Sequence, residues 1–127
     1  ASFMSEETIF HLAPKARFAE SGEDYFPPTY EKDGFVHATK EASMLYGIAN
    51  HYYKDQPGEW ILLRISTAKL AHTLKWEAPI GVGDKETHLK DNPILMPHIY
   101  GPINKTAVVE ELAVQREADG TFLPFNL

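Results

Sequence analysis

An apolar run at residues 59–66 (EWILLRIS) constrains the fold more than any other segment of the chain. It has the length of a strand, and apolar side chains occupy both of its alternating faces. Such a pattern is typical of a strand that is covered on both sides, so the run predicts a central strand. Residues 6–13 (EETIFHLA) show the same pattern and predict a second covered strand. A sheet of this kind needs packed layers on both faces.

Shorter elements surround these two strands. The first helix follows Pro14 and ends near Gly22, and the second begins after Thr39, its expected N-cap, and ends around Lys54. Further extended segments are expected at 34–38, 72–77, 96–102 and 106–115, and loops at 23–33 and 79–97. This order predicts an α+β fold with a mostly antiparallel β-sheet and two to three helices.

The length of 127 residues suits one domain. Met4 resembles a translational start, so residues 1–3 are expected to be a tag remnant and residues 4–127 a single domain. No apolar run approaches the roughly 20 residues that a membrane-spanning helix needs, and a cytoplasmic location is therefore expected.

The composition excludes several classes of function. The chain has no cysteine, so disulfides, thiolate metal sites and cysteine nucleophiles are excluded. Its 18 acidic and 12 basic residues give a formal charge of −6, which argues against a nucleic-acid partner. No membrane partner is expected. The expected partner is a small-molecule ligand, and the oligomeric state is left open.

Three of the six histidines occupy similar positions at strand ends. His11 ends the first strand, His37 ends the second, and His98 lies in the extended segment after the long loop. Strand ends that lead into helices expose free N–H groups, which favour an anionic ligand. We therefore predict that His11, His37 and His98 are catalytic residues. The other three histidines are expected at the surface: His51, His72 and His88.

Five further residues are candidates for ligand binding, on weaker grounds. They are Thr39 at the expected helix start, Asn50 and Tyr53 late in that helix, Tyr100 on the same face as His98, and Arg64, which either pairs with an acid or reaches a cleft. Glu77 is expected to be solvated. No metal ligand is assigned, although a zinc site built from the three strand-end histidines is chemically reasonable.

Short motifs along the chain resemble those of a known bacterial family. They are IFHLA at 9–13, DGFVHAT at 33–39, IANHYY at 48–53, ILLRI at 61–65, KWEAP at 75–79, PHIYGPI at 97–103 and AVVE at 107–110. In this order they resemble the family called domain of unknown function 952, over nearly the whole chain. The PHIYGP and DGFxHxS-like motifs are the most specific.

That family in turn resembles the ADP-ribosyltransferase superfamily, and within it the RNA 2′-phosphotransferases. The resemblance implies a split sheet around a cleft for NAD or an ADP-ribosylated intermediate. It matches His11 to a first-strand position and His37 with Thr39 to a His-x-Ser element. The third position, often Glu, falls near His98, where the motif has no carboxylate. No resident cofactor is implied, and NAD is a candidate substrate.

Two main hypotheses follow, and whether the chain is an enzyme is left open. In the first, the cleft binds a nucleotide-like or phosphorylated small molecule and carries out transferase chemistry. His11 would contact the ribose or a phosphate, His37 and Thr39 the pyrophosphate, and His98 with Tyr100 the reacting side. In the second, a non-catalytic module binds a ligand or protein through an aromatic cleft formed by four tyrosines: Tyr25, Tyr30, Tyr53 and Tyr100.

Overall fold

The computed structural model describes residues 7–125 and Leu127, so the expectation for residues 1–3 lies outside the described part. In chain order the elements are β1 (Thr8–Pro14), α1 (Lys15–Glu20), β2 (Asp24–Tyr25), α2 (Tyr30–Asp33), β3 (Val36–His37), α3 (Leu45–Tyr52), β4 (Trp60–Ser66), β5 (Thr73–Glu77), β6 (Met96–Tyr100), β7 (Ile103–Asn104) and β8 (Val108–Ala113). Single 3-10 turns lie at Ala42–Met44, Thr67–Lys69 and Lys105–Ala107. The described strands pair antiparallel, which confirms the α+β class.

The apolar run at 59–66 forms the middle strand of the sheet β1-β4-β8, as predicted. β4 pairs with β1 along its whole length, from Trp60 opposite Pro14 to Ser66 opposite Thr8. Leu62 and Leu63 point to opposite faces and are both fully buried, each in a different apolar cluster. The strand is therefore covered on both sides because each face has its own core.

A second three-stranded sheet, β3-β6-β5, meets the first at a single bridge. There the N–H of Phe10 donates to the carbonyl of Thr39 at 2.7 Å, and the N–H of Thr39 donates back at 2.8 Å. Beyond this bridge β1 and β3 diverge. Within the second sheet, His37 of β3 lies directly opposite His98 of β6. The third sheet is the short pair β2-β7.

The structure corrects the prediction for Thr39, which is not the N-cap of a helix. Its backbone is used in the bridge to Phe10, and α3 starts only at Leu45, after the 3-10 turn at Ala42–Met44. A helix start therefore does not lie beside His37. The loop predicted at 23–33 also contains structure, because β2 and α2 form within it.

None of the described helices is both long and apolar enough to cross a membrane.

Candidate functional site

A cleft that is partly open to solvent lies where β1 and β3 diverge. His11, His37 and His98 all line it, together with Thr39 and Tyr53. The three histidines therefore share one cavity, which strand-end position alone did not establish.

His11 joins the two diverging strands and keeps one nitrogen free. Its Nδ1 donates to the carbonyl of His37 at 2.6 Å, while its buried Nε2 has no partner among the described residues. Burial lowers the pKa of His11 to about 4, with the bond to the His37 carbonyl acting in the opposite direction. The ring is therefore neutral near pH 7, and Nε2 is a bare acceptor. It fits a ligand hydroxyl and does not supply positive charge to a phosphate.

His98 is held by a carboxylate that the sequence pattern had assigned to solvent. Nδ1 of His98 donates to Oε1 of Glu77 at 2.8 Å, and the hydroxyl of Tyr100 donates to the same oxygen at 2.7 Å. The Tyr100 bond, followed by the His98 bond, lowers the pKa of Glu77. Phe35 stacks on the His98 ring at 4.3 Å between centroids. Glu77 is 37% exposed, in line with the prediction of a solvated residue, but its bond to His98 was not predicted.

His37 has a carboxylate partner of its own. Its Nε2 donates to Oδ2 of Asp33 at 2.9 Å, and the carboxylate side chain is only 8% exposed. Burial lowers the pKa of His37, the bond and charge of Asp33 oppose that shift, and the charge of His98 adds to it. The rings of His37 and His98 lie 5.4 Å apart. The site thus contains two neighbouring imidazole–carboxylate pairs.

The long loop 79–95 covers one side of the cleft. Asp33 accepts the backbone N–H of Gly83 at 3.1 Å, and so one carboxylate holds both the loop and His37. The ring of His51 donates to the carbonyl of Glu86 at 2.7 Å and anchors the loop to α3. His88, expected only at the surface, is exposed but also lines the cleft.

Three of the predicted ligand-binding residues lie outside the residues that line the cleft. Asn50 uses its amide to bind both backbone groups of Phe122, at 2.7 and 3.1 Å, which fixes the C-terminal segment. Arg64 pairs with Glu110 at 2.8 Å and packs over the ring of Phe10. Tyr100 acts behind His98, through Glu77. Asn50 therefore has a structural role, and Arg64 takes the first of its two predicted alternatives, the pairing with an acid.

The four-tyrosine cleft of the second hypothesis is wrong. Tyr25 is fully buried in the core between the sheets, where Tyr30 also packs, while Tyr53 lines the cleft and Tyr100 lies at the surface of β6. No group of three or more His, Asp or Glu side chains in the described part of the chain is arranged to hold a metal.

The position of Gly83 predicts how the loop responds to substitution. Its φ of +59° is left-handed, and an added Cβ would meet Cγ2 of Thr29 at 3.1 Å. Gly83→Ala is expected to cost about 1 kcal/mol of loop docking, since side chains avoid this conformation. Amides of residues 79–95 should then exchange about fivefold faster in hydrogen–deuterium exchange, which reports local opening. The matched control is Gly22→Ala, where an added Cβ meets nothing within 4 Å. Equal exchange in the two variants would contradict the docking role.

Comparison with known proteins places this fold among experimental structures. The family model described as "Protein of unknown function (DUF952)" matches residues 11–111. The crystal structure of protein CC0527 from Caulobacter crescentus is similar, with 22% identity, a TM-score of 0.70, and coverage of 91% of this chain and 93% of that one. A double mutant of the same protein gives 21% identity and the same TM-score and coverage. No curated protein matches the chain. At these identities the likeness shows the fold alone.

Proposed function

The chain belongs to the DUF952 family of proteins of unknown function, and we propose that its cleft binds the nucleoside part of a nucleotide of the NAD or ADP-ribose type. The observation that carries this proposal is the Nε2 atom of His11. It is a buried, deprotonated acceptor without a partner in the described part of the chain, and it belongs to a residue that lines the cleft. Leaving such an atom unpaired costs about 1–3 kcal/mol, which a ligand hydroxyl would recover. Ribose offers such hydroxyls.

The walls of the cleft support a nucleoside better than a phosphate. Tyr52 and Tyr53 from the end of α3 line it beside apolar residues of β1 and the loop. Aromatic and apolar walls suit a nucleobase or sugar face. None of the described lining residues is lysine or arginine. The described lining therefore offers no lysine or arginine to a pyrophosphate, and the proposal places none at His37 and Thr39.

The resemblance to ADP-ribosyltransferases supports the same class of ligand. That superfamily binds its ligand in a split sheet, and here two three-stranded sheets diverge around the cleft from the Phe10–Thr39 bridge. The linear motif around His98 contains no carboxylate, but Glu77 of the neighbouring strand supplies one at 2.8 Å. This arrangement favours group-transfer chemistry over a purely passive site.

Binding depends on His11 if the proposal is correct. Wild-type protein should bind at least one of NAD, ADP-ribose and adenosine in isothermal titration calorimetry. His11→Phe should weaken that binding at least tenfold, or about 1.4 kcal/mol, because the acceptor for a ribose hydroxyl is gone.

The matched control is His72→Phe, since His72 is exposed and does not line the cleft. It should leave the affinity unchanged. If wild type binds none of the three ligands, the proposed function is excluded. Binding without any chemical change of the ligand would favour the non-catalytic alternative.

A further inference from the structure

The strand β5 lies at the edge of its sheet. It pairs with β6 on one side, and no other described strand pairs with it on the other. Trp76 of β5 is exposed, as are two apolar residues next to these strands, Ile80 shortly after β5 and Leu95 directly before β6. Unpaired edge strands readily pair with a strand of another chain. This edge is therefore a candidate interaction surface.

The backbone groups of Trp76 point to the free edge. Trp76 lies opposite Pro97, and the carbonyl of Pro97 accepts the N–H of Ala38 on the far side of β6. Opposite residues of an antiparallel pair direct their backbone groups either toward each other or away from each other. Because the carbonyl of Pro97 points away from β5, the N–H and C=O of Trp76 point away from β6. A strand added at this edge would bond to Trp76.

The residues on either side of Trp76 carry opposite charges on the other face of β5. The Nζ atom of Lys75 lies over the ring of Tyr100 at 4.8 Å and has no carboxylate partner among the described residues. The bonds from His98 and Tyr100 to Glu77 both end at Oε1, so its Oε2 remains available. The edge thus offers one free cation and one free carboxylate oxygen.

A second copy of β5 matches this edge in one register. When two copies run antiparallel with Trp76 opposite Trp76, Lys75 of each copy lies opposite the partner's Glu77. The Trp76 pair is then hydrogen-bonded, and the charged pairs take the non-hydrogen-bonded positions, where side chains are closer. A shift in either direction places Lys75 opposite Lys75 or Glu77 opposite Glu77, and like charges directly opposite are destabilising. The strand is therefore complementary in charge to itself.

We propose that β5 pairs with β5 of a second copy of the chain, which forms a two-fold symmetric dimer with one continuous sheet across the interface. The partner's Lys75 binds Oε2 of Glu77, the carboxylate that holds His98 at the cleft. Each subunit therefore contributes a residue beside the candidate site of the other. The inference does not depend on which ligand the cleft binds.

Charge reversal tests the register. Wild-type protein should be a dimer at micromolar concentration in analytical ultracentrifugation. Lys75→Glu and Glu77→Lys should each weaken the dimer at least tenfold, because each places two pairs of like charges in the interface. An equimolar mixture of the two variants should form a heterodimer, since both pairs then have opposite charges again. Lys15→Glu, at an exposed lysine of α1, is the matched control and should remain dimeric.

A cross-link tests the same pairing without a change of charge. The chain has no cysteine, so an introduced thiol is unique. In the Trp76→Cys variant the two thiols face each other across the two-fold axis, with Cα atoms about 5.5 Å apart, a distance that a disulfide spans. Mild oxidation should therefore give a covalent dimer. Thr73→Cys, also exposed on β5, should not cross-link, because the two copies of this residue lie at opposite ends of the paired strands.

Four results would overturn the dimer. They are a wild type that sediments as a monomer, charge variants that both remain dimeric, a mixture of the two folded variants that stays monomeric, and equal cross-linking of Trp76→Cys and Thr73→Cys. Circular dichroism shows whether each variant is folded. If Glu77→Lys does not fold, because it loses the bond to His98, the cross-linking comparison decides the question.

Discussion

Lowering the pH from 7 to 4 is expected to weaken the fold through His11 by about 3 kcal/mol. The pKa of His11 is 6.5 in an ordinary setting and about 4 in the folded protein, because burial disfavours the charged ring. Below pH 6.5 the unfolded chain therefore takes up a proton that the folded protein does not. Stability from this residue is complete above pH 6.5 and is lost as the pH falls through about 4.

The measurement is guanidinium unfolding of wild type and His11→Gln at several pH values between 7 and 4. Glutamine does not titrate, and its amide is able to donate to the His37 carbonyl as the ring of His11 does. The unfolding free energy of the variant should fall less steeply with acid than that of wild type. His72→Gln, at an exposed histidine, is the matched control and should follow wild type. A constant difference between His11→Gln and wild type at every pH would contradict a buried, neutral His11.

The burial of His11 underlies both the loss of stability in acid and the proposed ligand binding. Nε2 is unpaired because the Nδ1 proton is committed to a carbonyl of the neighbouring strand, at the point where the sheet splits. A continued β1–β3 ladder would have satisfied the carbonyl with a backbone N–H. The divergence of the strands therefore creates both the cleft and the role of His11 as an acceptor.

Sequence periodicity was sufficient to predict the central strand. It was not sufficient to predict which side chains of β5 and β6 lie together. Alternation correctly placed Glu77 on one face with Thr73 and Lys75. It could not show that this face is shared with His98, because that depends on the register of β5 with β6, where Lys75 lies opposite His98. Strand register is a long-range property, and here the two strands are separated by the loop of residues 78–95.

The error at Thr39 has a related cause. A threonine before a helical pattern is a good N-cap by local preference. Here its backbone groups pair with Phe10, and that pairing starts the split between the sheets. This tertiary pairing overrode the local capping preference. It could not be predicted from the residues around Thr39, because Phe10 is distant in the sequence. Asp33 lies only four residues before its partner His37, whereas its bond to Gly83 spans 50 residues and depends on tertiary structure.

Truncation of the central strand should have the largest effect on stability. Leu62 and Leu63 are adjacent, fully buried and packed into different apolar clusters on the two faces of β4. Leu62→Ala and Leu63→Ala are each expected to lower the unfolding free energy by about 3 kcal/mol, from lost burial and the cavity left behind. Similar losses at two neighbouring positions would distinguish a strand covered on both sides from one with a solvent face.

Arg64, the next residue on β4, provides the control. Its ion pair with Glu110 is partly exposed, with the two side chains 30% and 48% accessible. Arg64→Ala should therefore cost less than about 1 kcal/mol, as exposed ion pairs usually do. Chemical unfolding of the three variants at pH 7 measures all of these values. A Leu62→Ala loss no larger than that of Arg64→Ala would mean that the face toward α3 is not a packed core, and that the cleft beside it lacks a rigid wall of Phe10, Leu12 and Tyr53.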